Sequence, residues 1–210
     1  PVCQDEDCSA TSTPVTSLAS PDFYENLDAQ VHPTITVKAQ QVEYSDHLEQ
    51  FDVLEVGDKS IYTFNGPAET TYRINELKTG LNTTVKFSAG DYWIDNLTTA
   101  DKTVFIVEGP GTVRLFIKNT PTIGAYNWWN YTNNGETPEK LTVYAYNDFS
   151  PARGAFSGFF YSEGDMNFAP HTWLKGSVTG ENLNIGSSTL VYGKEERVGD
   201  VEFGHYICSQ

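Results

Sequence analysis

What this sequence lacks narrows its fold and chemistry first. No stretch carries apolar residues at helical spacing for any length, and Gly, Pro, Asn and Thr interrupt every run, which excludes a helical bundle. No apolar run approaches the roughly 18 residues that a membrane-crossing helix requires, so no membrane insertion is expected. No signal peptide is visible; in an exported protein it would already have been removed. Positive charge is scarce: 13 Lys and Arg stand against 28 Asp and Glu, for a net charge of −15 and a pI near 4.5. Nucleic acid is therefore no expected partner, because phosphate binding needs a basic surface. Acidity suits solubility in salt or a divalent cation, and a solvated acidic surface is the plainer reading. The body of the chain has no cysteine. Cys3, Cys8 and Cys208 lie at the extreme ends, so the disulfide candidates are an end-to-end bridge or a Cys3–Cys8 loop, with one thiol left over. Terminal stapling implies an oxidising compartment, meaning a secreted, extracellular or cell-surface protein. The Cys and His residues show no zinc-ligand spacing. His32, His47, His171 and His205 sit in unrelated contexts, with no Gly-x-Ser-x-Gly or His-Glu-x-x-His pattern. No catalytic residue, enzyme activity or obligatory cofactor is expected; Ca²⁺ is the one open option.

What the chain does contain is β-branched and aromatic residues arranged in a repeat. Val143-Tyr-Ala-Tyr-Asn-Asp-Phe149 aligns with Phe160-Tyr-Ser-Glu-Gly-Asp-Met166 and with Val178-Thr-Gly-Glu-Asn-Leu183. The columns are Val143/Phe160/Val178, Ala145/Ser162/Gly180, Phe149/Met166/Leu183 and Pro151/Phe168/Ile185, at steps of 17 or 18 residues. Apolar or small residues alternate with Tyr144, Tyr146, Tyr161 and Glu163, which is strand periodicity. A short unit that cannot bury its own apolar face, copied in tandem, is a rung of a solenoid. The fold expected is all-β: a right-handed parallel β-solenoid (β-helix) with an irregular N-terminal arm and a C-terminal cap. It predicts that Val143, Phe160 and Val178 stack in successive layers.

Residues 1–34, with Asp5-Glu6-Asp7, read as an extended acidic arm, or as one that inserts into a neighbouring subunit. Residues 35–192 read as the β-solenoid domain. Tyr72-Arg-Ile-Asn-Glu-Leu77 matches Tyr92-Trp-Ile-Asp-Asn-Leu97 at an offset of 20, so rungs begin before residue 72. Gly109-Pro-Gly111 is a turn between strands. Leu115, Ile117, Pro121 and Ile123 precede Val143, Ala145, Phe149 and Pro151 by 28 residues, about 11 more than one rung. That excess predicts an aromatic insertion within 124–140, placed at Ala125–Gly135. Residues 193–210 read as a C-terminal cap strand, because an uncapped solenoid end would polymerise.

Gly90-Asp-Tyr-Trp-Ile-Asp-Asn-Leu97, Val113-Arg-Leu-Phe-Ile-Lys118, Leu141-Thr-Val-Tyr-Ala-Tyr146, Ser157-Gly-Phe-Phe-Tyr-Ser-Glu-Gly-Asp165 and Lys175-Gly-Ser-Val-Thr-Gly180 carry a resemblance. Over roughly residues 88–192 the chain resembles the β-helical region of the adhesin-like surface proteins of bacterial MSHA-type (type IV) pili. The resemblance implies an exported bacterial protein with a structural or adhesive role. Family members carry Leu-Asn-Asn-Asn-Ala runs where this chain has Phe149-Ser-Pro-Ala and Phe168-Ala-Pro-His.

The best candidates for a ligand or subunit contact are Tyr126, Trp128, Trp129 and Tyr131 in the aromatic segment. Flat rings beside Asn and Gly suit sugar stacking or a protein contact; alternatively the loop folds back and its rings cover the solenoid flank. Asp91 with Asp95, and Asp148 with Asp165, are carboxylates that could approach each other. Asp148 and Asp165, in one column, are the weak metal candidates: a Ca²⁺ or a turn amide must separate them, or each bonds its own turn. Asn147 and Asn182 fit an asparagine ladder. Arg153 and His171 occupy comparable turns of neighbouring rungs and could meet. The sequons at Asn82, Asn96 and Asn130 matter only in a eukaryotic secretory route. The expected function is a self-assembling structural or adhesive surface protein, a homo-oligomer or filament joined through solenoid ends, arm or aromatic loop. The alternatives are a carbohydrate-binding adhesin using Trp128 and Trp129, and a polysaccharide-active enzyme.

Overall fold

In the computed structural model the chain is a parallel β-solenoid of about seven turns. The structure describes residues 21–23, 32–131, 137–187, 190–193, 196–198 and 201–203. The first four turns are strand pairs: β1 (Thr34–Val37) with β2 (Val42–Tyr44), β3 (Gln50–Val56) with β4 (Ile61–Thr63), β5 (Thr70–Thr79) with β6 (Thr84–Phe87), and β7 (Gly90–Thr99) with β8 (Val104–Val107). The fifth has three strands, β9 (Val113–Ile117), β10 (Thr122–Ile123) and β11 (Asn127–Trp129), and leaves through a 3₁₀ turn at Pro138–Lys140. Next come β12 (Leu141–Ala145), β13 (Gly154–Ser162), β14 (Met166–Phe168), β15 (Trp173–Thr179), β16 (Leu183–Ile185) and β17 (Leu190–Gly193). An antiparallel pair, β18 (Glu196–Val198) and β19 (Val201–Phe203), follows the stack.

Three faces surround one core. The first stacks β1, β3, β5, β7, β9, β12 and the second halves of β13 and β15. A second carries the ends of β5 and β7 on β10, and farther along it Phe149, β14 and β16. The third stacks β2, β4, β6, β8, β11 and the first halves of β13 and β15, then β17. β13 and β15 thus serve two faces by bending at Gly158 and Gly176, which stand in register. A Cβ at Gly176 would lie 1.9 Å from the Gly158 carbonyl oxygen, at a φ of +124°, so this corner requires glycine.

Stacking in parallel register turns a sequence repeat into a physical column, with neighbours about 4.8 Å apart. Val143 pairs with Phe160 and Phe160 with Val178, in successive layers as expected. Phe149 pairs with Met166, Met166 with Leu183, and Phe168 with Ile185. The upstream extension holds for Leu115 on Val143 and Ile117 on Ala145. The offset of 20 holds for Tyr72 on Tyr92 and Leu77 on Leu97. Their inward side chains make a continuous aromatic core: Tyr72 and Tyr92 stack at 4.6 Å, and Phe64, Phe87, Phe105, Trp129, Phe149, Phe156 and Phe168 carry ring contacts along the column.

Outside the first face runs a second ladder, Arg73–Trp93–Phe116–Tyr144–Tyr161. Trp93 stacks on Phe116 at 3.9 Å and Phe116 on Tyr144 at 5.0 Å. Phe23, from the segment expected to be an arm, lies edge-on to Trp93 and Tyr146, with Arg73 and Lys118 over its ring. Cys3, Cys8 and Cys208 lie outside the described residues. Among those residues no helix is long and apolar enough to cross a membrane.

One expectation needs correcting. The extra residues of the fifth turn do not begin at Ala125, because Asn127–Trp129 is itself a rung strand, paired with β8 and β13. The excess lies after it. Two residues, Ser157 and Gly158, separate the paired stretches of β13, whereas the corresponding path from Trp129 to Leu141 is longer and includes the 3₁₀ turn. Asn130 anchors this detour, its Nδ2 donating to the carbonyls of Thr137 and Ser157 at 3.1 Å each.

Candidate functional site

The site grows from a corner that the chain builds repeatedly. At five of the entries to the third face, one residue adopts left-handed φ and the next is a buried, small polar residue. The pairs are Lys59-Ser60, Asn82-Thr83, Lys102-Thr103, Tyr126-Asn127 and His171-Thr172. The second member ties the corner down: Thr103 Oγ1 donates to Ala100 O, Asn127 Nδ2 to Ala100 O and Gly124 O, and Thr172 Oγ1 to Ala169 O. The first member is thereby held at the surface. Corner amides continue the ladder, Lys102 N donating to Ala125 O and Tyr126 N to Arg153 O. Sequence reasoning missed this motif, although the Asp-Lys-Ser of 58–60 and the Asp-Lys-Thr of 101–103 show it.

Just past the corner, β11, β13 and β15 place Trp128, Ala155 and Trp173 in one outward column. Trp128 is 44% exposed and Trp173 48%, while Ala155 between them is 7% exposed. Two rungs separate the indoles, about 9.6 Å at the backbone. This column therefore differs from the closed ladder on the first face, where Phe116 fills the rung between Trp93 and Tyr144. Here the middle ring is missing.

The gap is a cleft of about 390 Å³ floored by Gly154 and Ala155. A Cβ at Gly154 would approach the Asn127 carbonyl oxygen to 2.5 Å, so the floor has to be bare backbone. Tyr131, the first residue of the detour, meets Trp173 edge-on at 6.5 Å. Tyr126 supports the Arg153 guanidinium, whose carbon lies 4.1 Å from the ring centroid, and His171 completes the rim. No carboxylate stands among the described residues lining the cleft.

Of the four aromatic candidates, Tyr126, Trp128 and Tyr131 line this cleft. Trp129 does not. It is fully buried, stacked on Phe105 at 4.7 Å and edge-on to Phe156, so alternation puts it in the core while Trp128 faces out. Its replacement at the site is Trp173, which sequence reasoning passed over; the signal was its place in a corner-strand unit, His171-Thr-Trp173, matching Tyr126-Asn-Trp128. Arg153 and His171 do come together on the rim, as their comparable turns suggested.

The carboxylate candidates are spoken for. Asp91 takes both Nε and Nη2 of Arg114 at 2.6 Å, and Asp95 takes Arg73 Nη2 at 2.7 Å. Asp148 Oδ1 accepts the Asp165 amide at 2.9 Å, and Asp165 Oδ1 accepts Asn182 Nδ2 at 2.6 Å. Of the alternatives considered for this pair, it is the turn amide that lies between them, supplied by the next rung. Asp58 and Asp101 act alike, accepting the amides of Leu81 and Ala125. Asn147 bonds Lys118 O, while a longer amide ladder joins Asp52, Asn75, Asn96 and Asn119. Among the described residues no cluster of three or more His, Cys, Asp or Glu is arranged to hold a metal.

Burial suppresses phenol ionisation in the interior. Burial pushes Tyr62 and Tyr92 far above the usual phenol value; Tyr72 pushes both further up, while hydrogen bonds to Ser88 pull Tyr92 part of the way back. In comparison with known proteins, no family model, no curated protein and no solved structure matches this chain. Fold and site together define a parallel β-solenoid with an aromatic cleft across three of its rungs.

Proposed function

We propose that this protein is an exported, non-enzymatic surface protein that binds carbohydrate in the cleft between Trp128 and Trp173. One observation carries the reading: two exposed indoles share a column, and an alanine replaces the ring between them. A ring with apolar faces fits, because carbon–carbon contacts at roughly 3.5–4.0 Å on either side account for most of the two-rung spacing. A sugar presents such C–H faces and keeps its hydroxyls outward, toward Tyr131, Arg153, His171 and water. The lining favours binding over glycoside hydrolysis, which calls for a pair of carboxylates. The resemblance to pilus-associated adhesin-like proteins supports the same setting.

The test is tryptophan fluorescence and calorimetric titration with a panel of neutral oligosaccharides. Binding should quench emission, and Trp128→Ala and Trp173→Ala should each weaken it about 10-fold or more, the size of a lost stacking contact. Unchanged affinity in both variants overturns the assignment.

The first turn favours a second role, end-to-end self-assembly. Among the described residues β1 pairs only with β3 and β2 only with β4, and Val42, Tyr44 and Leu48 are exposed there. Sedimentation of wild type against Val42→Lys tests it: concentration-dependent association lost in the variant supports assembly, and a monomer at all concentrations removes it.

A further inference from the structure

Resting on the carbohydrate reading of the cleft, we propose that its ligand is an acidic sugar, a uronic-acid residue whose carboxylate is taken by Arg153. The argument begins with how this chain treats its other arginines. Of the three whose side chains are described, Arg73 is bound to Asp95 and Arg114 is clasped by Asp91 through two hydrogen bonds. Arg153 has neither an ion pair nor a side-chain hydrogen bond among the described residues, although the protein carries 28 carboxylates. It is nevertheless held: the guanidinium lies over the Tyr126 ring at 4.1 Å. Stacking uses the π face and leaves the N–H edge for a planar, two-oxygen acceptor.

Position completes the argument. Ala155, the cleft floor, pairs with Trp173, and Arg153 and His171 each lie two residues before these partners. The free guanidinium edge and the imidazole thus stand at one end of the gap between the indoles, where a ring lying in that gap projects its substituents. His171 is a second donor on the same rim, and no carboxylate among the described lining residues opposes an anion. A sugar ring in the gap with a carboxylate at its C5 position satisfies both features at once. The acidic body sets an upper limit on ligand charge: a net −15 repels dense polyanions, so the site suits isolated uronic acids among neutral sugars rather than heavily sulfated chains.

The experiment titrates the whole chain with two matched β-linked trisaccharides, identical except for a central glucuronic acid in one and glucose in the other. It also uses the methyl ester of the acidic form. Acidic ligand should bind about 10- to 100-fold more tightly than the other two, as expected for a charge-assisted hydrogen-bonded pair. Arg153→Gln should erase that preference, so that the acidic form binds no more tightly than the glucose form, and Arg153→Lys should restore only part of it. Equal binding of all three sugars, or a preference that survives Arg153→Gln, overturns the acidic-sugar proposal and leaves the cleft reading standing. Binding of any of them that is unaffected by Trp128→Ala with Trp173→Ala overturns both. Melting temperatures of the variants verify that each is folded.

Discussion

Filling the missing ring is the most direct perturbation. Ala155→Phe would place a phenyl between Trp128 and Trp173, as Phe116 stands between Trp93 and Tyr144. The reference geometry is already in the molecule: Phe116 is 2% exposed, with neighbouring ring centroids at 3.9 and 5.0 Å. Each half of the two-rung gap, about 4.8 Å, matches those separations. Two new ring contacts contribute about 0.5–1.5 kcal/mol each beyond area burial. Ordering the phenylalanine side chain offsets about 0.5–1 kcal/mol of this, by analogy with other apolar side chains. The net stabilisation centres on about 1 kcal/mol, within a span of about 0 to 2.5, or a rise in melting temperature of a few degrees for a chain of this length. The same ring occupies the ligand's place, so saccharide affinity should fall by at least about 10-fold. Calorimetric melting and saccharide titration of one preparation read both effects. A variant that melts lower than wild type and binds normally refutes the reasoning, because the indoles then do not frame a free slot.

Three further predictions follow from neighbouring features. Trp129→Ala should destabilise by about 3–5 kcal/mol through a cavity between Phe105 and Phe156, whereas Trp128→Ala should stay within about 0.5 kcal/mol; denaturant unfolding separates them. Gly176→Ala should lower the melting temperature strongly and Ser177→Ala little, because only the former drives a Cβ into the Gly158 carbonyl at a left-handed φ. Alkaline titration followed by phenolate absorbance should leave a buried subset of the 12 tyrosines, including Tyr62 and Tyr92, un-ionised at pH values where free phenol has titrated. Their folded values are raised, so their contribution to stability is complete below about pH 10 and falls as pH rises above it. Unfolding that requires no more denaturant at pH 8 than at pH 11.5 would contradict this.

The columns were legible in the sequence because parallel, in-register stacking places a residue directly over its counterpart one repeat away. Val143, Phe160 and Val178 needed only their spacing, as did Tyr72 and Tyr92. The length excess within 124–140 was legible too, but where it starts inside that span was not. A solenoid turn can lengthen at any corner, and only the buried face of Asn127–Trp129 shows that this stretch is rung and the following residues are detour. Local pattern likewise made Trp128 and Trp129 look alike, although adjacent strand residues must face opposite ways.

The sequence by itself determined the class of fold, because a repeat of alternating apolar residues buries its face only by stacking on copies of itself. It also fixed which residues share a column. Tertiary structure decided which side of the wall each column faces, and therefore what the protein can touch. Trp128 and Trp173 lie 45 residues apart in the chain, and nothing local links them. Two circuits of the solenoid bring them to either side of Ala155, and the cleft exists only because those circuits close in register.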